Sequence, residues 1–82
     1  DMKVLKFSAS WYQPCKMLAK TLEDYKGEVP IENIDIDESQ EAAIRFGIRS
    51  VPTCVLVDDS DAVIKRKSGM MTLDQFEEFL KV

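Results

Sequence analysis

Cys15, preceded by Trp11-Tyr12-Gln13-Pro14, and Cys54, inside the apolar run TCVLV, are the two thiols of this 82-residue chain. Histidine is absent, which removes the commonest general base and the commonest metal ligand. Two cysteines without histidine do not make a closed zinc site of the usual Cys/His kind, and hydrolase triads lack their base. The chemistry open to the chain therefore runs through thiols, carboxylates or lysines. No metal or other cofactor is expected. The acidic turn Asp58-Asp59-Ser60-Asp61 lacks the length and spacing of a calcium loop and reads as a solvated turn. Met70 and Met71 read as adaptable contact surface, because two thioethers alone select little metal.

The elements that must position these groups follow from hydrophobic period and punctuation. KVLKF (3–7) is a short β-prone run, followed by the polar and aromatic turn SASWYQP. CKMLAKTLEDYKG (15–27) is helical, with Cys15, Leu18, Leu22 and Tyr25 on one stripe and Gly27 as its stop. VPIENIDID (29–37) is a second strand, led by a proline. DESQEAAIRFG (37–47) is a second helix, with Asp37 and Gln40 spaced as a capping box and Gly47 as its stop. TCVLV (53–57) has the unbroken apolar character of a strand buried on both faces, and AVIKRKS (62–68) completes a hairpin with it. Thr72 and Gln75 make a further capping box, and Leu73, Phe76, Phe79 and Leu80 form the stripe of a last helix. The order β-α-β-α-β-β-α predicts a small α/β sandwich in a single domain spanning 1–82, with no internal repeat.

Composition narrows the function classes. A 45% hydrophobic and 32% charged chain is an ordinary globular one. With a net charge of −4 and only Lys65-Arg66-Lys67 as a basic run, neither nucleic acid nor an anionic membrane is an expected partner. No apolar run approaches the ~20 residues of a membrane span. DMKVLKFSAS carries no long apolar run of a secretion signal. A monomer in the cytoplasm is the expectation.

Three segments, in order, resemble the thioredoxin family. SASWYQPCKML is similar to the family's W-C-G-P-C-K-M active-site turn, GIRSVPT to its segment ending in a cis-proline (Pro52 here), and SGMMTLDQFEEFL to its closing glycine and helix. The resemblance covers essentially the whole chain, without the extra N-terminal strand and helix of full-length members. It implies the thioredoxin fold in its compact form, a four-stranded mixed sheet flanked by helices. It also implies thiol–disulfide oxidoreduction on protein disulfides, with glutathione or a reductase as the reductant. In the family, an exposed cysteine at a helix N-terminus attacks as a thiolate and a second cysteine resolves the mixed disulfide. The helix start lowers the attacking thiol's pKa, and thioredoxin is itself an established example of that effect.

This chain departs from that pattern at the nucleophile. Tyr12 occupies the attacking position, Gln13 the usual glycine, and Lys6 the position of a buried acid, while Cys15 keeps the resolving position. A phenol titrates near ~10 and forms no disulfide, so the two-cysteine cycle does not run inside WYQPC. The resemblance places Cys54 across from Lys6, beneath the helix of Cys15. A Cys15–Cys54 redox pair with Lys6 beside it is one expectation, provided the α-carbons lie within about 7 Å. Lys6 is then expected to lower the neighbouring thiol pKa. The alternatives are Cys54 as a plain core residue and Lys6 as a stem-buried cation with its ammonium in water. Three functions stay open: an altered thiol oxidoreductase, a non-catalytic module holding extended polypeptide, or a Tyr12 variant of an ordinary dithiol member. The polypeptide-binding face implied by the resemblance comprises Trp11, Tyr12, Gln13, Pro14, Val51, Pro52, Gly69 and Met70, with Trp11 on the surface.

Overall fold

Alternating side chains in the first strand divide the molecule into two layers. The computed structural model describes residues 1–82, with β1 at Lys3–Ser8, α1 at Gln13–Leu22, β2 at Ile31–Asp35, α2 at Gln40–Arg45, β3 at Thr53–Val57, β4 at Val63–Ser68 and α3 at Leu73–Phe79. The strands lie in the order β2-β1-β3-β4, with β1 parallel to β2 and antiparallel to β3. Because β1 and β3 are central, both are buried on the two faces, which is why KVLKF and TCVLV read as apolar runs. Val4, Cys54 and Leu56 face one layer, against Leu18 and Leu22 of α1 and Phe76 and Phe79 of α3. Leu5, Phe7, Val55 and Val57 face the other, against Phe46 beyond the end of α2. Adjacent strand residues point to opposite faces, so each β1 and β3 residue is assigned to one layer. The thioredoxin-like α/β sandwich read from the sequence is the observed architecture.

Element ends differ from the sequence reading: α1 begins at Gln13 rather than at Cys15, and other ends shift for traceable reasons. α1 stops at Leu22, well before Gly27, as the amides of Glu23, Asp24 and Tyr25 turn back to the carbonyls of Lys20, Thr21 and Leu22. Gly27 has another role: a β-carbon there would lie 2.5 Å from the Tyr25 ring. That ring packs edge-on against Phe76, with centroids 5.1 Å apart, and its hydroxyl donates to the Val29 carbonyl at 3.0 Å. The Asp37–Gln40 capping box does not form either. The N-cap of α2 is Ser39, without a side-chain cap, and β2 ends at Asp35 rather than at residue 37. Asp35 Oδ1 accepts the Asp37 amide, and the Asp37 carboxylate turns elsewhere.

Other local signals form as read. Gly47 takes φ +65°, and the Gly47 and Ile48 amides donate to the carbonyls of Ile44 and Ala43, the paired bonds of a Schellman stop. Thr72 Oγ1 accepts the Gln75 amide at 3.1 Å and Gln75 Oε1 accepts the Thr72 amide at 2.9 Å. In the β3–β4 turn, Asp58 Oδ1 accepts from the Ser60 amide, the Ser60 hydroxyl and the Ala62 amide. These bonds hold the Asp58 carboxyl below the ordinary range, the Ser60 hydroxyl contributing most. Met71 corrects the reading of the methionine pair: it is 1% exposed and part of the α1–α3 layer, whereas Met70 is 39% exposed.

Candidate functional site

The chain leaves β1 at Ser8 and enters α1 at Gln13, so Ala9 to Tyr12 must turn it back over the sheet. The Tyr12 amide donates to the Ala9 carbonyl at 3.2 Å, and the Tyr12 carbonyl accepts from the amides of Cys15 and Lys16. Tyr12 is thereby the N-cap of α1, with extended backbone and no side-chain cap. Pro14 sits in the first turn, where a missing amide proton costs nothing. Cys15, the third helical residue, points inward at 4% exposure, and its Sγ accepts the Ala9 amide at 3.5 Å. That contact ties the sulfur to the turn preceding the helix.

Outside, Trp11 and Tyr12 are exposed and meet edge to face, with centroids 5.8 Å apart. Trp11 Nε1 donates to Asp37 Oδ2 at 2.8 Å. Asp37 therefore belongs to the site, holding the indole from the loop after β2. Its spacing reads as a helix cap, and no local pattern distinguishes the two roles. Behind this surface the Val51–Pro52 bond is cis and the Pro52 carbonyl accepts the Gly69 amide at 2.8 Å. Gly69 has φ +91°, a conformation that disfavours any side chain. Pro52 is fully buried, Val51 half-buried, and Gln13, Met17 and Met70 line an open groove beside α1. Thr53, which no sequence pattern singles out, braces the cis-proline segment: its hydroxyl donates to the Ser50 carbonyl and meets the Ser68 hydroxyl at 2.9 Å.

Beneath Cys15 the sheet presents an unusual row. Lys6 is paired with Cys54 on one side and Asn33 on the other, and Cys54 is paired with Lys67. Lys6 is 7% exposed and Cys54 is wholly buried. Burial lowers the Lys6 pKa, opposed by attraction to the Cys54 and then the Cys15 thiolate. No fully buried polar side-chain atom lacks a partner. Burial pushes the Cys54 thiol up to about 11, against the opposing pull of Lys6. The expectation that Lys6 would lower this thiol pKa is thus reversed in sum, because removing a thiolate from water outweighs one partly solvated neighbouring ammonium. Both cysteines are free.

The two shifts carry opposite pH signatures. Lys6 binds its proton less well when folded, so its contribution to stability rises with pH toward the ordinary lysine value of 10.5. Cys54 holds its proton more tightly when folded; its contribution is complete below 9.0 and is lost as pH climbs through about 11. Lys6→Met is expected to stabilise the protein at neutral pH by about 1–3 kcal/mol, removing a charge from a buried row. Only the alkaline decline should remain. Urea midpoints of both proteins across the pH range check this, and a less stable Lys6→Met at pH 7 would show the ammonium to be a net stabiliser.

None of the surface grooves is lined by Cys15, Cys54 or Lys6. No helix is long and apolar enough to cross a membrane. The family model described as Thioredoxin matches residues 1–82. The thioredoxin of Staphylococcus haemolyticus is 38% identical over 68 residues, covering 78% of this chain and 65% of that protein. That of Pseudomonas aeruginosa is 36% identical over 76 residues, covering 88% and 69%. The chain thus spans about 65% of the length of the first of these curated relatives. Among solved structures, a mutant thioredoxin from Halobacterium salinarum superposes with a TM-score of 0.81 at 31% identity, covering 98% of this chain and 72% of that one. Fasciola hepatica thioredoxin gives 0.82 at 29%, covering 94% and 76%.

Proposed function

The chain belongs to the thioredoxin family, and on that premise we propose that it exchanges thiol for disulfide with extended protein segments, through Cys15 rather than through position 12. The observation that carries this reading is the place of Cys15: an inward-facing thiol in the first turn of α1, the helix that the exposed Trp11–Tyr12 pair leads into. The aromatic pair, Val51 and Met70 offer apolar contact to a partner, and Gln13 offers a polar one. Cys15, as a thiolate, attacks one sulfur of the partner disulfide. A mixed disulfide forms, and the partner's other sulfur leaves as a thiolate that takes up a proton. Glutathione, or the thiol of a reductase, then releases Cys15. The same reading takes residues 1–82 as one domain, acting as a monomer in a reducing compartment such as the cytoplasm.

A second reading is favoured by one observation. Cys15 is 4% exposed with its sulfur engaged by the Ala9 amide, so a partner held on the aromatic face meets Tyr12 before the thiol. In that case the domain binds polypeptide without exchange. The two are separated by incubating the native protein with a peptide that carries a mixed aryl disulfide on its single cysteine. A peptide adduct on Cys15, weakened on the order of 10-fold in Trp11→Ala and absent in Cys15→Ser, is the expected result. Peptide binding that persists unchanged in Cys15→Ser, with Cys15 unmodified until the fold is melted, would establish the binding-only reading.

A further inference from the structure

We infer that Cys54 is the internal resolving thiol for Cys15 and that Lys6 takes the proton Cys54 gives up, so that the redox pair joins a helix to the sheet beneath it. This rests on the reading that Cys15 exchanges with partner disulfides. The placement follows from chain directions. β1 is antiparallel to β3, pairing Lys6 with Cys54 and Val4 with Leu56. α1 turns back over the sheet with Cys15, Leu18 and Leu22 as its buried stripe, and Leu18 and Leu22 pack in one cluster with Val4, Cys54 and Leu56. Since α1 runs back along the strand it follows, Cys15 lies at the end of that stripe beyond Leu18, where the sheet presents Lys6 and Cys54. The attraction of Lys6 to both thiols is consistent with that arrangement.

In the mixed disulfide, those molecules in which Lys6 has shed its proton to solvent react: the Lys6 amine takes the Cys54 proton and the Cys54 sulfur attacks Cys15 Sγ. The Cys15–Cys54 bond forms, the Cys15–partner bond breaks, and the partner sulfur leaves as a thiolate. That thiolate takes up a proton from solvent as Lys6 returns its own. The partner disulfide has then gained two electrons and two protons, and the protein has lost them. Two equivalents of glutathione reverse the change. Burial enlarges the fraction of Lys6 present as free amine, and the protonated Cys54 thiol requires a base that the chain, without histidine, has only in this lysine beside it. The groups paired with Lys6 across the sheet are Asn33 and Cys54, with the exposed cation Lys67 one strand further on, and Cys15 of the helix is close enough to interact with its charge. No carboxylate stands in this row to compete for the proton.

The test is to oxidise the native chain with glutathione disulfide, quench in acid, alkylate and map the peptides by mass. The expected product is a Cys15–Cys54 disulfide that forms after a transient glutathione adduct on Cys15. In Cys54→Ser and Cys54→Ala, both checked for native circular dichroism, the adduct on Cys15 should accumulate instead. In Lys6→Met, closure of the adduct should slow on the order of 100-fold at pH 7, with the deficit shrinking as pH approaches the thiol's own pKa. A wild-type chain that holds glutathione on Cys15 while Cys54 stays alkylatable would overturn the inference and leave the Cys15 reading standing. Two thiols that react only after unfolding would overturn both.

Discussion

Tyr12→Cys is expected to raise turnover in the reduction of a protein disulfide on the order of 100-fold, by adding a thiol one helical turn from Cys15. Position 12 is the N-cap of α1, 40% exposed, with its carbonyl bonded to the Cys15 amide at 3.1 Å. A cysteine placed there is far more open to a partner than Cys15, which is 4% exposed. The first turn of α1 contains no acidic residue, so nothing offsets the partial positive charge of the helix start, which favours a thiolate. Resolution by Cys15 is then intramolecular, and the variant should form a 12–15 disulfide and leave Cys54 free. The measurement is turnover with a reductase or dithiol as electron source, with the oxidised product mapped by mass. A variant no faster than the wild type would shift the limitation from Tyr12 to Lys6, the other departure beneath the site. Lys6→Asp in the Tyr12→Cys background is the next protein to measure in that case.

Phe76→Ala should cost about 3–5 kcal/mol, the range for emptying a fully buried aromatic site. Phe76 is 0% exposed and is the aromatic centre of the α1–α3 layer, packed edge-on with Tyr25 and tilted against Phe79 at 6.4 Å. A domain of this size has roughly 4–12 kcal/mol of stability in all, so the variant loses a large share of it. The loss reaches the thiols, because Phe76 and Cys54 belong to one packed cluster. Urea unfolding gives the stability change, and alkylation of Cys54 under native conditions should quicken with it. A loss below about 1 kcal/mol would mean that α3 is held mainly by its capping box and contributes little packing to the site.

Much of this architecture is legible from short-range pattern. The Thr72–Gln75 box and the Gly47 stop depend on bonds closed within a few residues, and both form where spacing places them. The apolar continuity of TCVLV reflects a central strand, a property written along the strand. The order of WYQPC, VPT and the closing glycine with its helix is enough to identify the family, since each segment carries its turn chemistry in its own residues. The departures that bear on activity, Tyr12 and Lys6, are also visible as letters.

Contacts between distant segments are not legible in this way. Asp37 is spaced to cap a helix, but folding brings Trp11 within 2.8 Å, and a carboxylate facing an indole N–H serves there instead. Gly27 has the spacing of a helix stop, yet the Tyr25 ring occupies the space a side chain would need there. Met71 and Met70 are neighbours in sequence and opposites in burial, because the chain crosses the surface between them. The Lys6–Cys54 row is the clearest case. Residue types alone predict an ammonium that lowers a thiol pKa, and burial reverses that sign. Short-range hydrogen bonding and periodicity are encoded where they act, so sequence alone carries them. Desolvation depends on every segment packed over a group, and its magnitude exists only once the sheet and both helices have closed.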